Sequence, residues 1–481
     1  MPVSDPATAS ALDVAFHPRS LAVAGVSPGK RGWGGGMMFY QAAKQMGRVE
    51  QVYAINPKGG EMPDGSPIYQ RLADVPGDVD YVISAVPAAA ILGLIDDAIA
   101  KGVKVIHSFT AGFGETGDGE RAELEVAMLS RLSEAGIRLI GPNCMGVHTP
   151  IGGVSWMPES STEVGRVGLA SQSGMHASEI VRIGEQRALR FSYGVSFGNA
   201  SDLNAADYFD YLADSDETDL VVSYIEGVKD GPRFLQSAKR LSARKPLIIL
   251  KGGTTEAGSR AASSHTGSLA GSAQIWDAVR RQANFIHVKD VDELLDVALT
   301  VQNLSDLTAP RAAVVGGGGG TSVLAADACD RVGIPVPWLS DETQRALGEH
   351  TPVAGTSVRN PVDSNIGWDG ERFEESLNTI SADPNIDWIL LHFGLDGGPS
   401  RGGKDQASSF EEKMRDNILK ARQSLSKPLA VVMRPPGSVQ SMEAGLRMQQ
   451  DLGSGGVAVY PSVEACASAV RKYLDWRDLR D

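Results

Sequence analysis

The sequence predicts an α/β protein of three successive domains, the first Rossmann-like and the next two flavodoxin-like. Three observations carry that reading. Short apolar runs alternate with amphipathic helical patterns along nearly the whole chain, the order that gives parallel sheets covered on both faces. Glycine and proline gather where the runs end, which is where ligands of such folds bind. The 481 residues match about three domains of ordinary size.

In residues 1–150, SLAVAGVS, QVYAINP, DYVISAVP, VKVIHSF and RLIGPN read as strands, with AAILGLIDDAIAKG among the helices between them. Residues 151–302 form a second unit. RVGLASQSG is a strand running into a helix start, ALRFSYGVSFG, LVVSYIEG and KPLIILKGG supply further strands, and DLNAADYFDYLAD is a helix. The third unit, 303–481, opens with the polar stretch NLSDLTAP and takes its strands from RAAVVGG, DWILLHFG, PLAVVMRP and VAVY. The polar run 397–412, GGPSRGGKDQASSFEE, reads as a mobile insertion or lid.

Apolar content of 42% and charged content of 22% are those of a soluble globular protein. A net charge of −14 argues against general binding to nucleic acid or anionic membrane, although local basic patches for phosphate remain compatible with it. The three cysteines, Cys144, Cys329 and Cys466, are widely spaced and form no metal-ligating pattern, which suits a reducing compartment. MPVSDPATAS lacks the basic and apolar blocks of a secretory signal, and no apolar run is long enough to span a bilayer. These features predict a cytoplasmic protein with no metal site.

Two turns have the chemistry of phosphate cradles. In the first domain a strand leads into Gly25 and Ser27, then KRGWGGG before a helix. Glycine there lets the backbone approach a ligand, and free N–H groups at a helix start favour anions. The spacing is not the GxGxxG dinucleotide fingerprint. The second strand ends in Asn56-Pro57-Lys58 rather than in the acid that holds a ribose 2′-hydroxyl. Lys58 suits a ribose phosphate, so a nucleotide with a phosphorylated ribose, such as coenzyme A, is favoured over NAD. Gly59 and Gly60 read equally well as plain turn formers. In the second domain Ser171-Gln172-Ser173-Gly174 lies between a strand and a helix, so hydroxyls and N–H groups converge on one point.

The segment KGGTTEAGSRAASSHTGSLAG, 251–271, is the most distinctive of all. Between Gly252 and Gly271, 16 of the 20 residues are Gly, Ala, Ser or Thr. Such a segment buries little area and cannot hold itself in a core. It leaves the end of a strand and carries His265, which is well placed to meet a ligand. His176, two residues beyond the Ser-Gln-Ser-Gly turn, reads as a helix residue. Ser20, His107, His148, His287, His350 and His392 belong to no constellation and read as structural. Cys144, at a strand end beside Asn143, reads as packed and inert.

The SSHTGSLAG loop resembles the phosphohistidine loop of the NDP-forming acyl-CoA synthetases, the superfamily of succinyl-CoA synthetase, and above all its ADP-forming acetyl-CoA synthetase branch. The resemblance runs in order through FHPRSLAVAGVS, GPNCMG, GLASQSG, VSFGNASDL, YIEGVKD and NPVD to VAVYPSVEACASAV, nearly the whole chain. It implies a CoA-binding first domain. There Gly25, Ser27 and Gly32 line the phosphates, and Pro57 and Lys58 meet the ribose-phosphate side. Val86, Pro87, Thr110, Gly112 and Asn143 line the adenine and pantetheine path. The KRGWGGG turn is more glycine-rich than the family's. The resemblance further implies that His265 is the phosphorylated residue, and that Glu226 holds its other ring nitrogen. Ser171, Gln172, Ser173 and Gly174 would bind the phosphoryl oxygens, with Gly198 and Asn199 near the acyl and phosphate site.

In the third domain the five glycines Gly316–Gly320 stand where the family carries a proline-containing GGGPG-like turn, and Asn360-Pro361-Val362-Asp363 matches a structural NPVD. No segment resembles the ATP-grasp domains that bind nucleotide in these synthetases. The layout therefore resembles a separate α subunit of an ADP-forming acyl-CoA synthetase. Its implied partners are CoA, phosphate, a small carboxylic acid and an ATP-grasp β subunit that carries Mg with the nucleotide, in an α2β2 assembly. The alternative is a non-catalytic CoA- or acyl-CoA-binding regulatory protein. The intact set of His265, Glu226 and the Ser-Gln-Ser-Gly turn favours the enzyme.

Overall fold

The computed structural model describes residues 5–28, 35–258, 260, 273–352, 355–364, 370–395, 404–434 and 437–480. Two of the expected site residues, Gly32 and His265, lie outside the described residues.

The first sheet contains β1 (Ser20–Ala24), β2 (Gln51–Ile55), β3 (Gly60–Glu61), β4 (Pro67–Tyr69), β5 (Tyr81–Ser84), β6 (Val105–Ser108) and β7 (Arg138–Ile140). Their order is β3-β4-β2-β1-β5-β6-β7, and every pair is parallel except β3 with β4. With the β3 edge set aside, this is the 3-2-1-4-5-6 order of a Rossmann sheet. The strands form where the sequence supplies unbroken apolar runs. All five residues of β1 and all four of β5 and β6 are buried, as a sheet covered on both faces requires.

The second sheet contains β8 (Gly146–His148), β9 (Val167–Ser171), β10 (Phe191–Ser196), β11 (Leu220–Ile225), β12 (Leu247–Lys251) and β13 (Ile286–Val288) in the order β13-β12-β11-β9-β10-β8. Apart from the antiparallel edge strand β8, this is the flavodoxin order 2-1-3-4-5. The third sheet, β14 (Ala312–Gly316), β15 (Val362–Asp363), β16 (Trp388–Gly394), β17 (Leu429–Arg434) and β18 (Ala458–Tyr460), repeats that order entirely in parallel. The expected fold class is the observed one.

The chain forms two compact units, Met1–Glu185 with Arg190–Val291 and Gln186–Leu189 with Asp292–Asp481. The first two sheets belong to the former and the third sheet to the latter. In the latter, the Asn360 side chain stands in for a neighbouring strand. Its Oδ1 accepts the Val314 N–H at 2.9 Å, and its Nδ2 donates to the carbonyls of Ala312 and Pro337 at 2.8 and 2.7 Å. Gly318, at φ +104°, caps the helix Gly319–Arg331 and donates its N–H to Asp363 at 2.8 Å. The run 397–412, read as a mobile insertion or lid, is described only in its second half. Residues 404–412 form the first turns of the helix Lys404–Ser424, which is anchored by the buried side chains of Met414, Ile418 and Ala421 at helical spacing. Residues 397–403 lie outside the described residues.

Among the described residues no helix is long and apolar enough to cross a membrane, and no group of three or more His, Cys, Asp or Glu side chains is arranged to hold a metal ion.

Candidate functional site

In a doubly wound sheet a crevice opens where the chain crosses from one side of the first strand to the other. The first sheet has that point between β1 and β5. Gly25, at φ +95°, follows β1 so closely against the next loop that a Cβ would fall 2.4 Å from the Ala85 carbonyl oxygen. Its N–H and that of Val26 both donate to the Ile55 carbonyl, at 2.9 and 3.2 Å. Asn56, which sequence reasoning passed over, ties the two loops together. Its Nδ2 donates to the Val26 carbonyl at 2.8 Å and to Ser27 Oγ at 3.2 Å, while its Oδ1 accepts the Lys58 N–H at 2.9 Å. Pro57 and Lys58, just beyond the end of β2, are exposed.

The second sheet has its crossing between β9 and β11. Ser171 ends β9, and its hydroxyl donates to the Ser173 carbonyl at 2.8 Å. The Ser173 hydroxyl then accepts the His176 N–H at 3.3 Å, capping the helix Gly174–Gln186. Gln172 joins this turn to the end of β11. Its N–H donates to the Tyr224 carbonyl at 3.0 Å, and its Oε1 accepts the N–H groups of Glu226 at 2.5 Å and Gly227 at 2.9 Å. Glu226 is only 8% exposed, and its Oε2 has no hydrogen-bond partner among the described residues.

Lys251, the last residue of β12 and likewise 8% exposed, completes the cluster. Its ammonium donates to the Glu226 carbonyl at 2.7 Å and to the Gly252 carbonyl, and lies 5.7 Å from the centre of the Trp276 ring. Burial lowers its pKa, and the Glu226 charge opposes that shift. Burial also pushes the Tyr224 phenol up, reinforced by Glu226. The His176 ring packs edge-on against Tyr224 at 4.5 Å, and its Nδ1 is 3.1 Å from Glu179.

Between the strand ends of these two sheets lies a cavity of about 560 Å³. Its wall brings together Val86, Pro87, Thr110 and Asn143 from the first domain with Gln172, Ser173, Gly174, Gly198 and Asn199 from the second. Gly198 shows why the sequence needs glycine there. At φ +50° it presses on the first domain, and a Cβ would sit 2.3 Å from the Asn143 carbonyl oxygen and 2.4 Å from that of Pro142. Thr110 donates its hydroxyl to the Val86 carbonyl at 2.6 Å, and its own carbonyl accepts the Asn143 N–H at 3.0 Å. Gly25, Ser27, Pro57, Lys58, Gly112, Ser171 and Glu226 are not on the cavity wall.

Cys144 lines the cavity but is buried, and burial pushes its thiol up, so it stays protonated. Beneath it, His107 donates from Nε2 to the Cys144 carbonyl at 3.0 Å, and burial brings the ring down to about 4.

Glu115 is the other group that sequence reasoning missed. Its Oε1 accepts the Gly112 N–H at 2.6 Å. Its Oε2 accepts the Phe113 N–H at 3.1 Å and the Asn199 amide at 2.9 Å. Burial works against its ionisation, yet these donors more than offset it and hold the carboxyl below the usual range. The only sequence signal was an acid following the glycines of FTAGFGE.

A CoA binding domain model matches residues 19–150, and a succinyl-CoA ligase like flavodoxin domain model matches 164–301. The ADP-forming acetate–CoA ligase I of Archaeoglobus fulgidus is 37% identical over 78% of this chain, which spans 54% of that protein's length. The α subunit of ADP-forming acetate–CoA ligase II of Pyrococcus furiosus is 35% identical over 79% of this chain and 81% of its own length. A solved structure of the dinucleotide-forming acetyl-coenzyme A synthetase 1 of Ca. Korarchaeum cryptofilum, in complex with phosphate and ADP, superposes with a TM-score of 0.81 at 28% identity, over 98% of this chain and 97% of that one. The chain therefore belongs to the ADP-forming acetate–CoA ligase family, within the succinyl-CoA ligase-like superfamily.

Proposed function

We propose that this chain is the α subunit of an ADP-forming acyl-CoA synthetase. The complete enzyme interconverts carboxylic acid, CoA and ATP with acyl-CoA, ADP and phosphate. The observation that carries the reading is a cavity whose wall combines strand ends of the CoA-binding sheet with the Ser-Gln-Ser-Gly turn of the second sheet. A built cradle of this kind fits a ligand with a long arm: a 560 Å³ interior in which the loops of the first sheet meet the small residues of the Ser-Gln-Ser-Gly turn.

In the ATP-forming direction a phosphate oxygen attacks the thioester carbonyl carbon. The C–S bond breaks, and the phosphate proton passes to the departing thiolate, giving acyl phosphate and free CoA. An imidazole nitrogen of His265 then takes the phosphoryl group. The P–O bond to the acyl group breaks and carboxylate leaves, while the proton on the other ring nitrogen stays shared with Glu226. The Gly174 N–H and the Ser173 hydroxyl stabilise the phosphoryl oxygens at the helix start, Ser171 braces that turn through its bond to the Ser173 carbonyl, and Glu226 accepts the other ring N–H of His265, fixing its tautomer. Gln172 supports that role by bonding to the backbone on which the Glu226 carboxylate stands. The final acceptor, ADP with Mg, belongs to an ATP-grasp β subunit in an α2β2 assembly. A single short loop can serve both sites only if they share a rigid complex.

The test is covalent labelling. With acetyl-CoA and radioactive phosphate, or with labelled ATP and the β subunit, the chain should acquire an acid-labile, base-stable phosphate. His265→Ala should abolish the label, and Glu226→Gln should leave a folded protein that labels more slowly. A label that persists in His265→Ala would refute the relay. A chain that binds CoA without ever being labelled would favour the regulatory reading.

A further inference from the structure

We infer that Glu115 is a positioning residue, which acts through Asn199 to turn the side-chain carbonyl of Asn143 toward the cavity as an acceptor for the amide N–H of a pantetheine arm. The inference rests on the CoA reading above. A carboxylate can only accept hydrogen bonds, so the amide facing it has no choice of orientation. Asn199 must present its Nδ2 to Glu115, at 2.9 Å, which turns its Oδ1 to Asn143. Asn143 must answer with its own Nδ2, at 3.4 Å, and its Oδ1 is thereby sent the opposite way. Both asparagines line the cavity, so the polarity set at Glu115 is read out on the cavity wall.

The surrounding frame holds the rest still. Glu125 accepts the Gly114 N–H at 2.8 Å and the Ser201 hydroxyl, latching the same two segments one step further along. The Asn199 and Ser201 N–H groups donate to the carbonyls of Pro142 and Gly141, each at 3.1 Å. Loss of the Glu115 charge therefore leaves the segments joined and changes the direction of the amide chain.

Glu115→Gln reverses that direction. The new amide keeps the shorter bond, that from the Gly112 N–H, on its oxygen, gives up the longer one from the Phe113 N–H and turns NH2 toward Asn199. Asn199 flips to accept it, and Asn143 flips in turn, so that NH2 replaces a carbonyl on the wall. An amide N–H of the ligand then meets a donor. Adding Asn199→Asp restores an acceptor between the two amides, returns Asn143 to its original orientation and restores the net charge.

The experiment is calorimetry on the full chain with CoA and with adenosine 3′,5′-bisphosphate, which lacks the pantetheine arm. Glu115→Gln should weaken CoA about tenfold, the range for one lost hydrogen bond with an opposed donor, and leave the bisphosphate unchanged. The Glu115→Gln/Asn199→Asp protein should recover most of the CoA affinity. Parallel weakening of both ligands, unaltered CoA binding in Glu115→Gln, or no recovery in the double variant would each overturn the positioning role and leave the CoA reading standing. A wild-type chain that binds neither ligand would overturn both.

Discussion

Replacing Gln172 by Met isolates the bond set that joins the two halves of the proposed phosphate site. Methionine matches glutamine in length and volume, so packing is nearly conserved while the acceptor disappears. Two N–H groups lose their partner, those of Glu226 at 2.5 Å and Gly227 at 2.9 Å. Each bond contributes about 1 kcal/mol, and water reaches this half-buried turn in part, so the expected loss is about 1–2 kcal/mol. For a unit of this size that corresponds to a fall in Tm of roughly 2–3 °C, or an equivalent shift in urea midpoint at constant m. The Glu226 carbonyl stays tied to Lys251, so the strand end does not come away. What loosens is the orientation of the carboxylate. His265 labelling should slow about tenfold or more while CoA affinity is unchanged. A variant with wild-type Tm and wild-type labelling would show that this crosslink supports neither the fold nor the site.

Lys58→Ala should weaken CoA roughly fivefold, less at high salt because the side chain is exposed, and leave 3′-dephospho-CoA unaffected. Equal affinity of the wild type for the two ligands would show that Lys58 does not read the 3′-phosphate. His107 gives a pH prediction. Buried and neutral, it titrates at about 4 in the folded chain and near 6.5 once unfolded, so between those values the unfolded state binds more protons. Its contribution is therefore intact above pH 6.5 and is lost as pH falls toward 4, by roughly 3 kcal/mol in all. His107→Gln should flatten the stability–pH curve in that window, and an unchanged slope would mean that the ring is protonated in the fold.

The long central strands were legible because both faces of each are buried, so the sequence shows unbroken apolar runs that end at glycine. β3, β4, β8, β13 and β15, of two or three residues each, were not; β7 and β18 are as short, but the apolar runs of RLIGPN and VAVY mark them. Lengths alone cannot show that β8 turns to pair with β10 in the second sheet. At the site, the residues legible in sequence were those in turns, where glycine and serine mark a helix start. The Glu115 carboxylate was not legible, because its partner Asn199 is 84 positions away and nothing local distinguishes it from a solvated acid. Lys251 did leave a trace, a lone charge closing the apolar run LIIL, which is costly to bury unless its ammonium is fully hydrogen-bonded.

That lysine links the fold to the proposed chemistry. β12 ends at Lys251, and the small-residue segment that carries His265 begins at the next residue. The ammonium bonds the first carbonyl of that segment, Gly252, and the carbonyl of Glu226 at once. Gly252 is also the point at which a Cβ would strike the Tyr224 hydroxyl at 2.5 Å, so the segment leaves the sheet hard against the strand that presents the glutamate. The start of the segment that carries His265 and the seat of Glu226 are therefore fixed by one set of bonds.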